Sequence, residues 1–473
     1  MLTRSLESQQ LGLSMDPLIL SRIQFALNVS FHYLFPPISI GLGLMLVIME
    51  GLYLKTKNPK YKAMTQFWIK IFALVFAVGV ATGIVQTFAF GTNWARYSKF
   101  VGDVFGSALA AEGIFAFFLE SGFLGILLFG WDRIKPGIHY FATICVSLGA
   151  HFSAVWIVVA NSWMQTPAGY KIEGTGENAR AVISSFSEMV FNPSSMDRLA
   201  HVLIACWVTG AFFVISVSAY YIIKQRHLDV ARSMMKIGLF VAMITLIMQL
   251  ISGDSSARLV AKHQPAKLAA FEGTFETKPY TPISVIGWVD AENQRVHSIS
   301  IPGGLSFLTY RDFKTPVTGL DQFPKEDWPN VGVVFQTYHI MVLAWGAMFT
   351  LTLAGLIQLK RKKLESAKWL LWPLVFAVVI PHIAQQAGWF SAEMGRQPWI
   401  VYNLLRTSQG VSLNISTSQV IGSLMMFTFI YALLFCLFMF LLDRKIKHGP
   451  TEYEKEPDTA EVYTNPYEES SGV

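Results

Sequence analysis

Residues 200–223, AHVLIACWVTGAFFVISVSAYYII, contain no Lys, Arg, Asp or Glu. An α-helix rises about 1.5 Å per residue, so this segment is long enough to cross the ~30 Å hydrocarbon core of a bilayer. Comparable apolar runs occur at residues 17–52 (broken by Pro36-Pro37), 67–90, 105–130, 138–162, 236–253, 335–359, 368–390 and 417–442. The sequence therefore predicts an all-α, polytopic integral membrane protein with about nine transmembrane helices, forming a single domain over residues 1–473.

The composition of the whole chain agrees with this prediction. Charged residues make up 14% of the 473 residues, whereas a typical soluble domain carries ~25%. Hydrophobic residues reach 53%, and the mean hydropathy is +0.43. So few charges exclude a soluble globular surface and a disordered chain, and three cysteines exclude a disulfide scaffold.

Basic residues divide unequally between the two sides of the predicted bundle. The connections on one side, beginning with the segment that holds Lys55 to Lys62, contain 18 Lys and Arg residues, against 7 in the short connections opposite. This excess marks the cytoplasmic side, so the N-terminus is predicted outside and the C-terminus inside. The net charge of +6 then follows from topology and does not indicate a nucleic-acid partner. Residues 254–334 become a long outer loop, and residues 449–473 a disordered cytoplasmic tail.

A small set of ionisable or soft side chains falls inside the predicted spans, where such groups are costly and mark functional sites. Its members are His32, Glu112, Glu120, His201, Met341 and Glu393. All except Glu120 fall near the outer ends of different spans. His, Met and carboxylate side chains on facing helices can be axial ligands of heme. The ordinary alternatives are hydrogen bonds between helices and, for methionine, gap filling in the core.

Glu112 and Glu120 lie eight residues apart on one span. On a continuous α-helix they would be ~12 Å apart in depth and ~80° apart around the axis. This spacing suits a carboxylate near a heme with a second carboxylate two turns deeper, as a proton relay. The structural alternative is a polar interface between helices.

Residues 265–273 of the outer loop, PAKLAAFEG, predict a short helix, because proline opens it and glycine follows it. Lys267 could hold the oxygen of a quinol head group, and Glu272 could accept its hydroxyl proton. On the residue pattern alone, a solvated helix with opposite charges is the favoured interpretation.

Several motifs together resemble a known family. They are SRIQFAL at 21–27, FHYLF at 31–35, GTNW at 91–94, AEG at 111–113, FLES at 118–121, NSWMQ at 161–165 and GWFSAEMGRQPW at 388–399. In this order they resemble subunit I of the cytochrome bd-type quinol oxidases, in the form with a short quinol loop. The resemblance extends from about residue 16 to about residue 445.

This resemblance implies three hemes: a low-spin heme b, a high-spin heme b, and heme d or a further heme b. His201 and Met341 match the ligands of the low-spin heme, while His32 and Glu393 match those of the high-spin pair. Further residues match positions near the hemes (Glu112, Asn161, Trp389 and Arg396), on a proton path (Glu120, Ser121 and Ser153) and in the quinol loop (Lys267 and Glu272). His339 departs from the family pattern, which has Arg at that position.

The family resemblance also implies a reaction and partners. The chain would oxidise quinol and reduce O2 to water in a prokaryotic inner membrane, generating a proton-motive force without pumping. It would associate with a second large membrane subunit and with a small single-span subunit.

Two other redox proteins fit the histidines less well. A heme–copper oxidase needs clustered histidines with an adjacent pair, which the sequence lacks. A bis-His cytochrome b needs pairs of histidines about 13 or 14 residues apart on one helix, and the sequence lacks this spacing too. A heme-free, proton-coupled transporter that uses Glu112, Glu120 and Glu393 is the non-enzymatic alternative.

Overall fold

The structure is a computed structural model that describes residues 16–453. Most of the predicted tail, residues 454–473, lies outside the described residues. Eight helices of the described part are long and apolar enough to cross a membrane, and a bent helix pair makes a ninth. The prediction of an all-α bundle with about nine spans is thereby confirmed, whereas the orientation of the termini stays a prediction.

The helices follow the predicted apolar runs, with short elements between them. The helices are α1 Pro17–His32, α2 Pro36–Thr56, α3 Pro59–Thr92, α4 Ala95–Ala111, α5 Phe118–Phe129, α6 Pro136–Gln165, α7 Phe186–Val190, α8 Ser195–Ile223, α9 Leu228–His263, α10 Pro265–Glu272, α11 Gly304–Tyr310, α12 Val331–Lys360, α13 Lys368–Phe376, α14 Val379–Met394, α15 Thr407–Gly410 and α16 Thr417–His448. Antiparallel hairpins join β1 Tyr170–Glu173 with β2 Arg180–Ile183, β3 Ile283–Asp290 with β4 Arg295–Ile301, and β5 Trp399–Val401 with β6 Leu405–Arg406.

The first span consists of α1 and α2. Asp16 caps α1 by accepting a hydrogen bond from the Leu18 amide at 2.9 Å, and Pro17 occupies the first helical position. The chain leaves the helix after His32 and resumes it at Pro36, because prolines lack the amide that would continue the hydrogen-bond ladder. His32 is therefore the last residue of a helix within the span.

The third span is longer and less regular than predicted. It runs over residues 95–129 and contains a π-helical segment, Glu112–Phe117, between α4 and α5. A π-helix bonds residue i to i+5 and widens the turn. The separation expected for Glu112 and Glu120 on a continuous α-helix is therefore wrong.

Helix α9 continues to His263, beyond the end predicted at residue 253. The prediction ends the helix where polar residues begin. In the structure these polar residues stabilise a helix that projects past the apolar region. Arg258 pairs with Asp254 one turn earlier at 3.0 Å, and Arg311 of the following segment pairs with the same carboxylate. Ser256 donates a 2.5 Å hydrogen bond to Asp197 of α8.

The connection between α9 and α12 is an ordered layer. It contains α10, the β3–β4 hairpin and α11, none of which except α10 was predicted. Helix α10 has the predicted proline start, and Gly273 ends it with a φ of 66°, a left-handed conformation that glycine adopts without strain. A hydrophobic cluster that includes Leu268, Leu305 and Val334 packs this layer onto the N-terminal end of α12.

The eighth span is the pair α13 and α14, which bend by 43° where they meet. The main core of the bundle is formed by α2, α3, α8, α9 and α13. Gly41 of α2 and Gly210 of α8 lie backbone against backbone, so that a Cβ on either residue would collide with the other helix. This close contact fixes α8, which carries His201, against the first span.

Candidate functional site

Glu393, near the end of α14, is the centre of a polar network. Its Oε1 accepts hydrogen bonds from Asn161 Nδ2 at 3.0 Å and from Gln165 Nε2 at 3.1 Å. Its Oε2 accepts from Arg396 Nη2 at 2.5 Å. Asn161 and Gln165 are one turn apart on α6, so the last turns of two spans converge on one carboxylate. The structure thus brings together Asn161, Glu393 and Arg396, three residues that the sequence motifs indicated.

Two guanidinium groups flank this carboxylate, that of buried Arg396 and that of half-buried Arg198. Arg198 donates to Asn161 Oδ1 at 2.5 Å, and its guanidinium carbon lies 5.8 Å from the centre of the Trp389 ring. Arg198 Nε and Arg396 Nη1 are buried without a hydrogen-bond partner in the described part of the chain. A buried donor without an acceptor costs ~1–3 kcal/mol, so both groups suit an anionic ligand.

Sequence reasoning missed Arg198, which it counted only as a basic residue of an outer connection. Its position three residues before His201, about one helical turn away, could have identified Arg198 as a site residue. Placed in α8 and half-buried at the Glu393 network, Arg198 adds a second positive charge beside the Glu393 carboxylate. The two unpaired N–H groups fit the propionates of a heme held by these residues.

His201 faces α9. Its Nδ1 lies 3.1 Å from Ser252 Oγ, and Gln249 Nε2 lies 2.9 Å from its Nε2. Gln249 Oε1 has no hydrogen-bond partner among the described residues. Gln249 Nε2 also lies 3.1 Å from Nδ1, so the Gln249 amide contacts both ring nitrogens, whereas Ser252 contacts Nδ1 alone. An Nδ1 bond that orients the ring is typical of histidines that bind metal through Nε2.

Met341 of α12 packs on α14. A Cβ built on Gly388 would lie 2.8 Å from the Met341 sulfur, so the sulfur rests against the helix backbone at that glycine. Trp389, the next residue, packs edge-on against Tyr33 with ring centres 5.5 Å apart. Thioether sulfur and imidazole nitrogen together are a ligand set for low-spin heme. The chemistry of these donors therefore fits that group.

His32 bonds to α3. Its Nδ1 lies 2.9 Å from Thr82 Oγ1, and the Thr82 hydroxyl also lies 2.9 Å from the Val78 carbonyl oxygen. A hydroxyl has one proton, and the carbonyl can only accept it. Thr82 then accepts from Nδ1–H, which leaves the lone pair of the ring on Nε2. This tautomer fits a metal ligand, and Gly83 makes room for the ring.

The two carboxylates of the third span have different surroundings. Glu112 opens the π-helical segment and accepts a 2.5 Å hydrogen bond from Ser153 of α6. Glu120 is 7% exposed and packs against Gly149 of α6. Ser121 is exposed and donates its hydroxyl to the Phe117 carbonyl of its own helix at 2.6 Å. The structure therefore brings Ser153, but not Ser121, to Glu112.

Lys267 of α10 is 2% exposed, so the interpretation of α10 as a solvated helix is wrong. Its Nζ donates to Gln165 Oε1 and to Gln264 Oε1, both at 2.5 Å. Burial lowers the pKa of the Lys267 amine well below its usual range, and the nearby charges of Arg198 and Arg396 lower it further. Gln165, to which the sequence assigned no role, thus connects α10 with Glu393.

Glu272, at the end of α10, is 4% exposed. Its Oε2 accepts from the Ser284 amide at 3.1 Å, and the Tyr338 hydroxyl interacts with the carboxyl, while Oε1 meets the full geometry of a hydrogen bond with no described residue. Burial raises the pKa of the Glu272 carboxyl to about 7. A carboxyl with one free oxygen and such a pKa is suited to exchange a proton with a ligand near neutral pH.

His339 of α12 contacts strand β3, whose residue Ser284 donates a hydrogen bond to Glu272. Its Nε2 lies 3.0 Å from the Ser284 carbonyl oxygen, and its Nδ1 lies 2.8 Å from the Phe335 carbonyl oxygen of the preceding helical turn. The adjacent side chain of Gln336 donates to the Gly287 carbonyl at 3.0 Å. With its proton on Nε2, His339 donates to the Ser284 carbonyl, and this bond and that of Gln336 connect α12 to β3 beside Glu272.

Comparison with known proteins connects this arrangement with one family. Residues 20–450 match the family model described as cytochrome bd terminal oxidase subunit I. The chain is 39% identical over 464 residues to the cytochrome bd ubiquinol oxidase subunit 1 of Bacillus subtilis (strain 168), covering 96% of this chain and 98% of that protein.

Two further proteins extend this similarity. The cytochrome bd-II ubiquinol oxidase subunit 1 of Escherichia coli (strain K12) is 34% identical, with 94% of this chain and 99% of that protein covered. The solved structure of the bd oxidase from Geobacillus thermodenitrificans superimposes with a TM-score of 0.86 at 30% identity, covering 92% of this chain and 99% of that one.

Proposed function

Because this chain belongs to the cytochrome bd terminal oxidase subunit I family, we propose that it transfers electrons from quinol to O2 in a prokaryotic inner membrane. Two quinols are oxidised for each O2 that is reduced to two waters. The chain functions with a second large membrane subunit, and a small single-span subunit completes the complex. The family match sets aside the heme-free transporter as an alternative.

We infer that His201 and Met341 would hold a low-spin heme b, and that His32 and Glu393 would hold the high-spin hemes, one of b type and one of d or b type. When bound, these groups supply one-electron transfer and the reduction of O2. Arg198 and Arg396 would neutralise their propionates with the N–H groups that lack other partners. Asn161 and Gln165 hold the Glu393 carboxylate in one orientation.

Quinol oxidation is assigned to the outer layer. Lys267 would donate a hydrogen bond to one quinol oxygen, and the free Oε1 of Glu272 would accept a hydroxyl proton and release it on the outer side. Protons for water formation would enter from the cytoplasm by Glu120, Ser121, Ser153 and Glu112. Release on one side with uptake on the other generates a proton-motive force without a pump.

One observation carries this assignment: buried Lys267 and half-buried Glu393 share Gln165 as a hydrogen-bond partner, at 2.5 and 3.1 Å. Lys267, one of the two proposed quinol side chains, thus belongs to one polar network with the proposed heme-binding carboxylate. A reduced-minus-oxidised spectrum with heme extraction from the purified complex tests the proposal. Three hemes per complex are expected, and a colourless protein would overturn it.

Replacing His339 with Ala is expected to lower kcat/KM for quinol about tenfold. The loss of one hydrogen bond of ~1–1.5 kcal/mol would release Ser284, whose amide orients Glu272. Oxygen consumption with an artificial one-electron donor should stay near the wild-type rate. Thr337→Ala is the control, because its hydroxyl bonds only to carbonyls of its own helix. An equal loss with both donors would refute the positioning role.

Replacing Ser153 with Ala is expected to slow O2 reduction about tenfold, since Glu112 would lose its 2.5 Å hydrogen bond. The heme spectrum and the KM for quinol should not change. Ser107→Ala is the matched control, because the Ser107 hydroxyl is donated to the Asp103 carbonyl of its own helix. Stopped-flow reaction of the reduced complex with O2 measures the effect, and unchanged kinetics would remove Ser153 from the proton path.

A further inference from the structure

A cavity of about 310 Å³ lies at the end of the bundle where α8 and α12 end and α9 begins. It is far in sequence from the residues of the Glu393 network. Its walls are apolar side chains from α9, α12 and the segment after α12, namely Met235, Leu359 and Leu364. Its mouth carries Arg232, Lys236, Lys362 and Glu365.

The charges at the mouth do not balance. Arg232 forms a two-pronged ion pair with Glu365, with N–O distances of 2.7 and 2.8 Å, and these charges cancel. Lys236 and Lys362 also line the cavity, and neither ammonium group has an ion-pair partner in the described part of the chain. Two unpaired ammonium groups therefore face an apolar cavity, an arrangement that attracts an anion.

The apolar side of the cavity continues along the bundle. Gly355 of α12 touches α9, since a Cβ there would lie 2.7 Å from Leu239 Cδ2. Met235 and Leu359 are each one helical turn away from this contact, towards the helix ends, so the cavity opens directly above it. Helices α9 and α12 are in contact one turn further into the bundle and separate at the level of the cavity.

Exposed apolar side chains lead away from the lysines towards the middle of the membrane. On α9, Phe240 (50% exposed) and Ile244 (58%) continue the helix face of Lys236 at intervals of four residues. These two side chains form an apolar strip on α9 that starts at the cationic cavity.

We propose that this cavity binds the phosphate group of an anionic phospholipid, whose acyl chains lie along the strip of Phe240 and Ile244. Lys236 and Lys362 contribute the positive charge that the phosphate requires. The bound lipid joins the beginning of α9 to the end of α12. Basic pockets between transmembrane helices at the membrane surface are suited to such head groups.

The test uses the purified oxidase complex in detergent, titrated with phosphatidylglycerol, and the shift in unfolding temperature as the measure of binding. The double variant Lys236→Gln/Lys362→Gln is expected to bind about thirtyfold more weakly, since each lysine near a lipid phosphate contributes ~1 kcal/mol. The control is Lys224→Gln/Lys363→Gln, which removes the same charge at the same end of the bundle from residues outside the cavity lining. This control should bind as the wild type does.

Two further titrations distinguish the source of the phosphate. Phosphatidylcholine should bind more weakly than phosphatidylglycerol, and inorganic phosphate at the same concentration should give no shift. Equal binding of phosphatidylglycerol to the wild type and the cavity variant would overturn the proposal. If another subunit covers the cavity, the two proteins would also bind the lipid equally, and the proposal would fail. An equal shift with inorganic phosphate would overturn the role of the apolar strip.

Discussion

Replacing Met341 with Leu is expected to abolish the low-spin heme signal in the reduced-minus-oxidised spectrum while the protein stays folded. Leu and Met have similar volumes, so the exchange costs less than ~1.5 kcal/mol even in a packed core. The sulfur that rests against Gly388 is lost, and Leu has no atom that can bind iron. Spectral loss without unfolding is therefore the expected result.

The control for this experiment is Met348→Leu. Met348 is on the same helix, two turns further along, and is 4% exposed, so the substitution tests the packing change alone. Both variants should unfold near the wild-type temperature, and only Met341→Leu should lose the low-spin band. An unchanged spectrum in Met341→Leu would reject Met341 as a ligand.

Most of the bundle could be predicted because apolar runs without charge define spans directly. The helix ends could not be predicted in this way. Helix α9 passes the apolar boundary at Asp254 because Arg258 and Arg311 pair with that carboxylate, and these contacts depend on how the loop folds back. The β3–β4 hairpin was missed for a similar reason, since its inner face contacts α12 only after the chain has folded.

The candidate site was predicted through residue types that are costly in lipid, which identified Glu112, His201 and Glu393. Arg198 and Gln165 were missed because neither is unusual at a span end. Arg198 was indistinguishable from a solvated loop residue until its burial next to Trp389 was known. The importance of Gln165 follows from its two simultaneous partners, Lys267 and Glu393, which are more than one hundred positions away from it in sequence.

Replacing Glu272 with Gln is expected to lower kcat for quinol oxidation at least ~100-fold, the usual contribution of a positioned general base. Gln has the same shape and can still accept from the Ser284 amide, but it cannot take up a proton. Oxygen reduction from an artificial one-electron donor should partly survive, because that donor does not need the base. Glu276→Gln, at an exposed position four residues further along, is the matched control and should retain quinol activity.

The pH dependence of the wild-type enzyme supplies a second measurement. Burial raises the pKa of Glu272 to about 7, so its carboxyl is mostly protonated at pH 6 and mostly ionised at pH 8. Only the ionised form can accept the quinol proton, so kcat/KM for quinol should rise about tenfold over this range and then level off. In Glu272→Gln this rise should be absent, whereas Glu276→Gln should keep it. A rise that persists in Glu272→Gln, or an equal loss of activity with quinol and with the artificial donor, would show that Glu272 is not the base.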